Sequence, residues 1–220
     1  MLSAVGFFIF YNFTVVSIEA WTCCYFRRII ISAMNNERTI GRDCLVKLIL
    51  AAAFAARKHK TQKRKDGVEP YINHPLEVAE ILSKIGGVED EDILVAAILH
   101  DTIEDTNTTE EEILCLFGQK VCEYVKEVTD DKSLSREVRK WLQVEKASKL
   151  SAGAKQIKIA DKISNLCAIM DSPPKDWSLE EKVQYIDWAK EVVDKMRGVN
   201  ENLEKYFDQT YLKAKERLEF

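Results

Sequence analysis

The sequence predicts an all-α fold, a bundle of helices around one core, and three observations carry that expectation. Apolar residues recur at helical spacing in nearly every segment after Asp43, and no segment shows a convincing alternation with period two. The chain has 220 residues, 46% of them hydrophobic, which is enough for one sizeable core and too little for two domains with linkers.

The first element is expected at 43–59, where Leu45, Val46, Leu48, Ile49, Ala52 and Ala56 fall at helical spacing. A basic loop, KTQKRKDGVEPYIN, follows. Pro75 suits a first helical position, and PLEVAEILSKIGG stops at Gly86-Gly87. The next segment is apolar on every side from Ile93 to Leu99, so its helix belongs in the middle of the bundle, with HDTIED at its polar end. Thr108 with Glu111 reads as a capping box for a helix through Phe117, and Gly118 separates that helix from QKVCEYVKEVTDD. Helices near 135–149, 153–170 and 178–197 follow, the last two parted by Pro173-Pro174, and a polar amphipathic helix over 199–217 closes the bundle. The chain shows no internal repeat and no Gly-rich phosphate loop.

Residues 1–33 differ from the rest: the stretch is apolar and aromatic, with only Glu19, Arg27 and Arg28 charged. Asn12, Thr14, Ser17 and Glu19 interrupt it and no basic residue precedes it, so it fits neither a signal peptide nor a spanning helix. Met34 opens MNNERTIGRD, which reads like a soluble N-terminus. We therefore take 1–33 as an extension produced by an alternative start, with a weak membrane anchor as the other reading, and 34–220 as the domain. Membrane contact is expected only if that extension is retained.

Lys+Arg 32 against Asp+Glu 36 gives a net charge of −4, which argues against a nucleic-acid partner and leaves room for a small anionic ligand. The six cysteines show no CxxC spacing. Buried free thiols in a reducing, cytoplasmic setting are the expectation.

Chemistry concentrates at HDTIED, where seven apolar residues give way to His100, Asp101, Glu104 and Asp105. On a continuous helix these lie within one turn of each other, and three carboxylates so close call for a cation. A second helix, KQIKIADKISNL, sets Asp161 and Asn165 one turn apart beside a stripe of Ile157, Ala160, Ile163 or Ser164, and Leu166; pairing of Asp161 with Lys158 or Lys162 at the surface is the plainer alternative. His74, before a proline at a helix start, joins His100, Asp101 and Asp161 to give two nitrogens and two carboxylates. That donor set suits a borderline-hard divalent ion such as Mn²⁺, which makes water nucleophilic near neutral pH.

The order His, HisAsp, Asp resembles the HD superfamily of metal-dependent phosphohydrolases, an all-α helical bundle. The longer pieces HKTQKRKDGVEPYINHP, HDTIED and IADKISNL resemble three successive motifs of the RelA/SpoT-type hydrolase domain, from about residue 43 to 197. Where many bacterial members have Gly, this chain has Thr61, and the spacing between Lys65 and Pro70 varies within the family. The chain ends soon after the bundle, as in the stand-alone alarmone hydrolases, including the animal type.

The resemblance implies metal ligation by His74, His100, Asp101 and Asp161. It implies that Glu104 and Asp105 position and activate the attacking water, and that Arg64, Lys65, Asn165 and Tyr185 hold a guanosine nucleotide. For Arg64 and Lys65 a solvated basic loop, and for Tyr185 a core aromatic beside Trp188, are the alternatives. The implied reaction is hydrolysis of guanosine 3′,5′-bis(diphosphate), ppGpp, to GDP and pyrophosphate. NADPH, whose ribose also carries a phosphate, is the rival substrate. A non-catalytic nucleotide sensor or membrane-tethered scaffold is the reading from another class, and it would require a missing ligand or acid.

Overall fold

The computed structural model of the protein describes residues 40–219. The extension assigned to 1–33 and its boundary at Met34 lie outside the described residues. Among the described residues every regular element is a helix, and the sole bridge between extended backbones pairs Lys63 with Pro70. No described helix is long and apolar enough to cross a membrane.

The helices are α1 (Ile40–Lys58), α2 (Asn73–Lys84), α3 (Glu91–Leu99), α4 (Thr102–Asp105), α5 (Glu110–Phe117), α6 (Gln119–Val128), α7 (Arg136–Ala147), α8 (Ala152–Asp171), α9 (Leu179–Asp194) and α10 (Glu201–Glu219). As expected from its unbroken apolar run, α3 is central: Ile93 and Val95 through Leu99 are buried, and it packs against α1, α2, α6 and α8. Asp90 caps it, its carboxylate accepting the Asp92 and Ile93 amides at 2.9 and 3.2 Å.

A second helix shares the centre. In α8 every residue from Ile157 to Ser164 is buried, Lys158, Asp161 and Lys162 included, where the sequence placed an apolar stripe beside Asp161 and left surface pairing of Asp161 with a lysine as the alternative. The charges are tolerated because each has a partner: Lys158 donates to the Val128 carbonyl at 2.9 Å, and Lys162 donates to Asp161 at 3.2 Å. α8 packs against α2, α3, α6, α9 and α10, so it touches most of the bundle.

Three local expectations change. α2 begins at Asn73, two residues before Pro75, because backbone turns from Pro70 and Tyr71 run straight into it; Pro75 still falls in the first turn, where no intrahelical N–H is needed. The cap of α5 is Thr109, whose hydroxyl accepts the Glu112 amide at 3.2 Å, and no Thr108–Glu111 box forms. Thr108 is buried and bonded to Thr106, while Glu112 reaches across to Lys58 at 2.7 Å instead of back to the cap. A full capping box occurs at Ser178 and Glu181, which start α9. Among the described residues Cys44, Cys122 and Cys167 are free thiols, of which Cys122 is buried and the other two are half-buried.

Candidate metal centre and nucleotide pocket

The helix that carries HDTIED does not run through it. α3 ends at Leu99, His100 and Asp101 (φ −97°, ψ −1°) form a corner, and α4 restarts at Thr102. Two local bonds explain the corner: His100 Nδ1 donates to the Ala97 carbonyl at 2.8 Å, and Thr102 Oγ1 donates to the Leu99 carbonyl at 2.7 Å, so side chains take carbonyls near the helix end. Asp101 precedes α4 without capping it, which leaves its carboxylate for other partners.

Those partners are histidines. Asp101 Oδ2 lies 3.0 Å from His100 Nε2 and 3.6 Å from His74 Nε2, and it accepts the Tyr71 hydroxyl at 2.6 Å. Asp161 Oδ1 lies 3.2 Å from His74 Nε2 and accepts Asn165 Nδ2 at 2.6 Å. Donor atoms of His74, His100 and Asp101 fall within 4.8 Å of one another, and Asp161 joins them through His74. Asp161 is buried, so its pairing with Lys162 is an internal one and not the surface pair that spacing alone allowed.

The tautomers follow from the outer partners. Ser164 Oγ donates to Glu77 Oε2 at 2.8 Å, so its oxygen accepts from His74 Nδ1 at 2.9 Å. His100 Nδ1 is likewise committed to Ala97. In their neutral forms both imidazoles therefore turn Nε2 lone pairs toward carboxylate oxygens, acceptor against acceptor, and without a cation a proton on His100 Nε2 relieves the clash. His100 Nε2 is buried and has no hydrogen-bond partner, since its 3.0 Å approach to Asp101 is not aligned for one. Such a cluster needs positive charge at its centre.

The proton equilibria show the same demand. Burial pushes His74 below its ordinary pKa and so favours the neutral ligand form. Burial also disfavours charge on His100, but the Asp101 and Asp161 carboxylates together with the Ala97 carbonyl outweigh it and lift the ring to about 9. Burial works against ionisation of Asp101 and Asp161 too, yet His100 beside the one and Lys162 beside the other hold both carboxyls well below the usual range. Two neutral-capable imidazoles with fixed outer bonds and two anionic carboxylates match what a divalent cation requires.

Glu104 and Asp105 lie beside this cluster on α4 and line the same cavity. Glu104 Oε2 accepts the Asp130 amide at 3.0 Å, Oε1 stands 3.5 Å from Arg139, and burial raises its pKa. Asp105 accepts Gln62 Nε2 at 2.7 Å on one oxygen and pairs with Lys132 on the other.

The cavity, of about 860 Å³, extends from the cluster to an aromatic wall and includes Arg64, Lys65, Asn165 and Tyr185 in its lining. Tyr185 is buried between Trp177 and Trp188, ring centroids 5.4 and 5.2 Å away, so it is a packed aromatic beside Trp188 and a cavity residue at once. Lys65 lies 4.9 Å over Trp177 and 5.5 Å over Tyr185, Arg136 5.1 Å over Trp177, and Lys140 4.9 Å over Trp188. Burial, then the neighbouring Arg136 and Lys162 charges, lowers Lys65 to about 8. Sequence reasoning passed over Arg136, Lys140 and Trp177, which no motif marked, gave Glu77 no role, and read Ser164 only as an alternative to Ile163 in the apolar stripe. It quoted Gln62 and Tyr71 within a motif but gave them no role.

A family model described as HD domain matches residues 51–190. The chain is 53% identical over 167 residues to a Xenopus tropicalis guanosine-3′,5′-bis(diphosphate) 3′-pyrophosphohydrolase MESH1, covering 75% of this chain and 93% of that protein. With the human protein of the same name it shares 49% identity over 158 residues, covering 71% and 88%. Among solved structures it resembles one described as a metazoan ortholog of SpoT that hydrolyses ppGpp, with TM-score 0.74 and 46% identity over 76% of this chain and 94% of that one. A Listeria monocytogenes protein is similar at TM-score 0.55 and 30% identity, covering 67% and 99%.

Proposed function

The chain belongs to the HD domain family, and from that premise we propose that it hydrolyses guanosine 3′,5′-bis(diphosphate) to GDP and pyrophosphate. The observation that carries the reading is the acceptor-against-acceptor cluster of His74, His100, Asp101 and Asp161 at the end of a cavity walled by cations and aromatic rings. The relatives of matching length bear the name of this activity.

His74 and His100 would hold a divalent ion through Nε2, and Asp101 and Asp161 through carboxylate oxygens; Mn²⁺ is our assignment from the mixed nitrogen and oxygen donors. When bound, the ion lowers the pKa of water and offsets charge on the phosphate. Tyr71 keeps Asp101 in place by donating to it, and Asn165 does the same for Asp161. Arg64 and Tyr185 offer planar faces to the guanine, while Lys65 and Asn165 meet phosphate or ribose oxygens.

In the reaction a water oxygen bonds to the 3′-proximal phosphorus as the bond from that phosphorus to the ribose 3′-oxygen breaks. The water gives up a proton and the 3′-oxygen gains one. Glu104, with its pKa raised by burial, is suited to take the proton from water and return it, and Asp105 orients the water.

The test is turnover of ppGpp and NADPH by the full chain, after EDTA and after Mn²⁺ is restored, with pyrophosphate and phosphate release measured separately. Mn²⁺-dependent pyrophosphate release from ppGpp is expected. Turnover of NADPH alone would refute the substrate, and full activity in EDTA would refute the metal.

A further inference from the structure

We infer that Gln62, held by His59, is a positioning residue for Asp105, an inference that rests on the role of Asp105 above. A relay of side chains runs behind the site. His59 Nδ1 lies 2.7 Å from Gln62 Oε1, and Gln62 Nε2 donates to Asp105 Oδ2 at 2.7 Å. The direction of each bond is determined. A carboxylate only accepts, so the Gln62 NH₂ must face Asp105; this turns Oε1 to His59, which must then carry its proton on Nδ1.

His59 is buried, 3% exposed, and packs its ring 5.0 Å from that of Tyr71. Its Nε2 has no partner, so the ring's hydrogen bonding is given to Gln62 alone. A buried imidazole with one side unsatisfied is costly, and its retention here buttresses a single amide. The other donor to Asp105, Lys132, is 49% exposed on its side chain and is a weak, screened restraint. Gln62 is therefore the fixed donor that sets the Asp105 carboxylate plane across 43 residues of chain.

Steady-state kinetics, Mn²⁺ content and melting temperature of Gln62→Met, Asp105→Asn and the double variant test this. Gln62→Met should lower kcat roughly 10–100-fold, the scale of outer-partner loss, with Mn²⁺ content intact and KM changed less than about threefold. Because Gln62 acts through Asp105, adding Gln62→Met to Asp105→Asn should cost less than about threefold more. His59→Asn, which restores an N–H near the Nδ1 position, should keep more activity than His59→Leu, and this comparison decides the matter if Gln62→Met folds poorly. Normal kcat in Gln62→Met, fully multiplicative losses in the double variant, or equal activity of the two His59 variants would overturn the inference. Near-normal kcat in Asp105→Asn would instead remove the role of Asp105 itself.

Discussion

Replacing Asp101 and Glu104 separately tests whether holding the metal and handling the water belong to different carboxylates. Asp101 Oδ2 sits 3.0 and 3.6 Å from the two imidazole Nε2 atoms and already takes the Tyr71 hydroxyl, so Asp101→Asn removes the anionic oxygen at the centre of the cluster. An outer partner is worth roughly 10–100-fold in metal affinity, and a charged ligand should exceed that. Glu104 is placed differently. Its Oε2 accepts the Asp130 amide, a bond that the Gln carbonyl can keep, and the new NH₂ group would face the Arg139 guanidinium 3.5 Å away, replacing a long, partly solvated ion pair. Glu104→Gln should therefore fold and retain Mn²⁺ while losing a general acid–base, a drop in kcat of about 10²–10⁴, equivalent to roughly 3–5 kcal/mol in the barrier. Elemental analysis beside kcat, with and without excess Mn²⁺, separates the two. Excess metal should partly rescue Asp101→Asn and leave Glu104→Gln unchanged. Loss of metal from Glu104→Gln, or a near-normal kcat, would refute the division and shift water handling to Asp105.

Ser164→Ala should weaken Mn²⁺ binding roughly 10–100-fold in a chelator competition, because His74 Nδ1 and Glu77 lose their shared partner; unchanged affinity would show that Ser164 does not orient the ring. Lys65, ordinarily at 10.5 and here brought to about 8, is charged below that pH and neutral above it, so kcat/KM for a polyanionic substrate should fall as pH climbs through about 8. Lys65→Arg stays charged and should abolish that limb, and an unaltered limb would assign it to another group. A Cβ at Gly153 would stand 2.5 Å from two Tyr124 ring atoms. Gly153→Ala should thus lower Tm by a few degrees, overpacking of about 1–3 kcal/mol outweighing the helix preference of Ala; an equal or higher Tm would mean that the buried ring moves aside freely.

Helix existence and the central place of α3 were legible because an unbroken apolar run has no other stable location. The corner at His100–Asp101 was not, since neither glycine nor proline marks it. It arises when His100 and Thr102 take backbone carbonyls, a choice that depends on what the freed carboxylate then meets in α2. The same holds for the α5 cap: Thr108 and Thr109 are equivalent locally, and the Lys58–Glu112 bond, between residues 54 apart, removes the acid that a box would use. Sequence read the candidate ligands as members of motifs, but not their outer bonds, which join residues 87 and 90 apart at Glu77, Ser164 and His74.

The charged stretch of α8 explains why the two halves of the cavity form together. Asp161 turns one oxygen to His74 and Asn165 and the other to Lys162, and Lys162 in turn lies 4.4 Å over the Trp188 ring. Asn165, one turn on, bonds Asp161 while lining the cavity. A single turn at the centre of the bundle thus links the metal cluster to the aromatic wall, and any shift of α8 moves both. Burying an ammonium and a carboxylate there would be costly for a helix that merely packed. Its compensation is geometric: one rigid helix carries both Asp161, which meets His74, and Lys162, which lies over the Trp188 ring, so in the proposed reaction a nucleotide held at the wall would present its 3′-phosphorus at a fixed distance from the cluster.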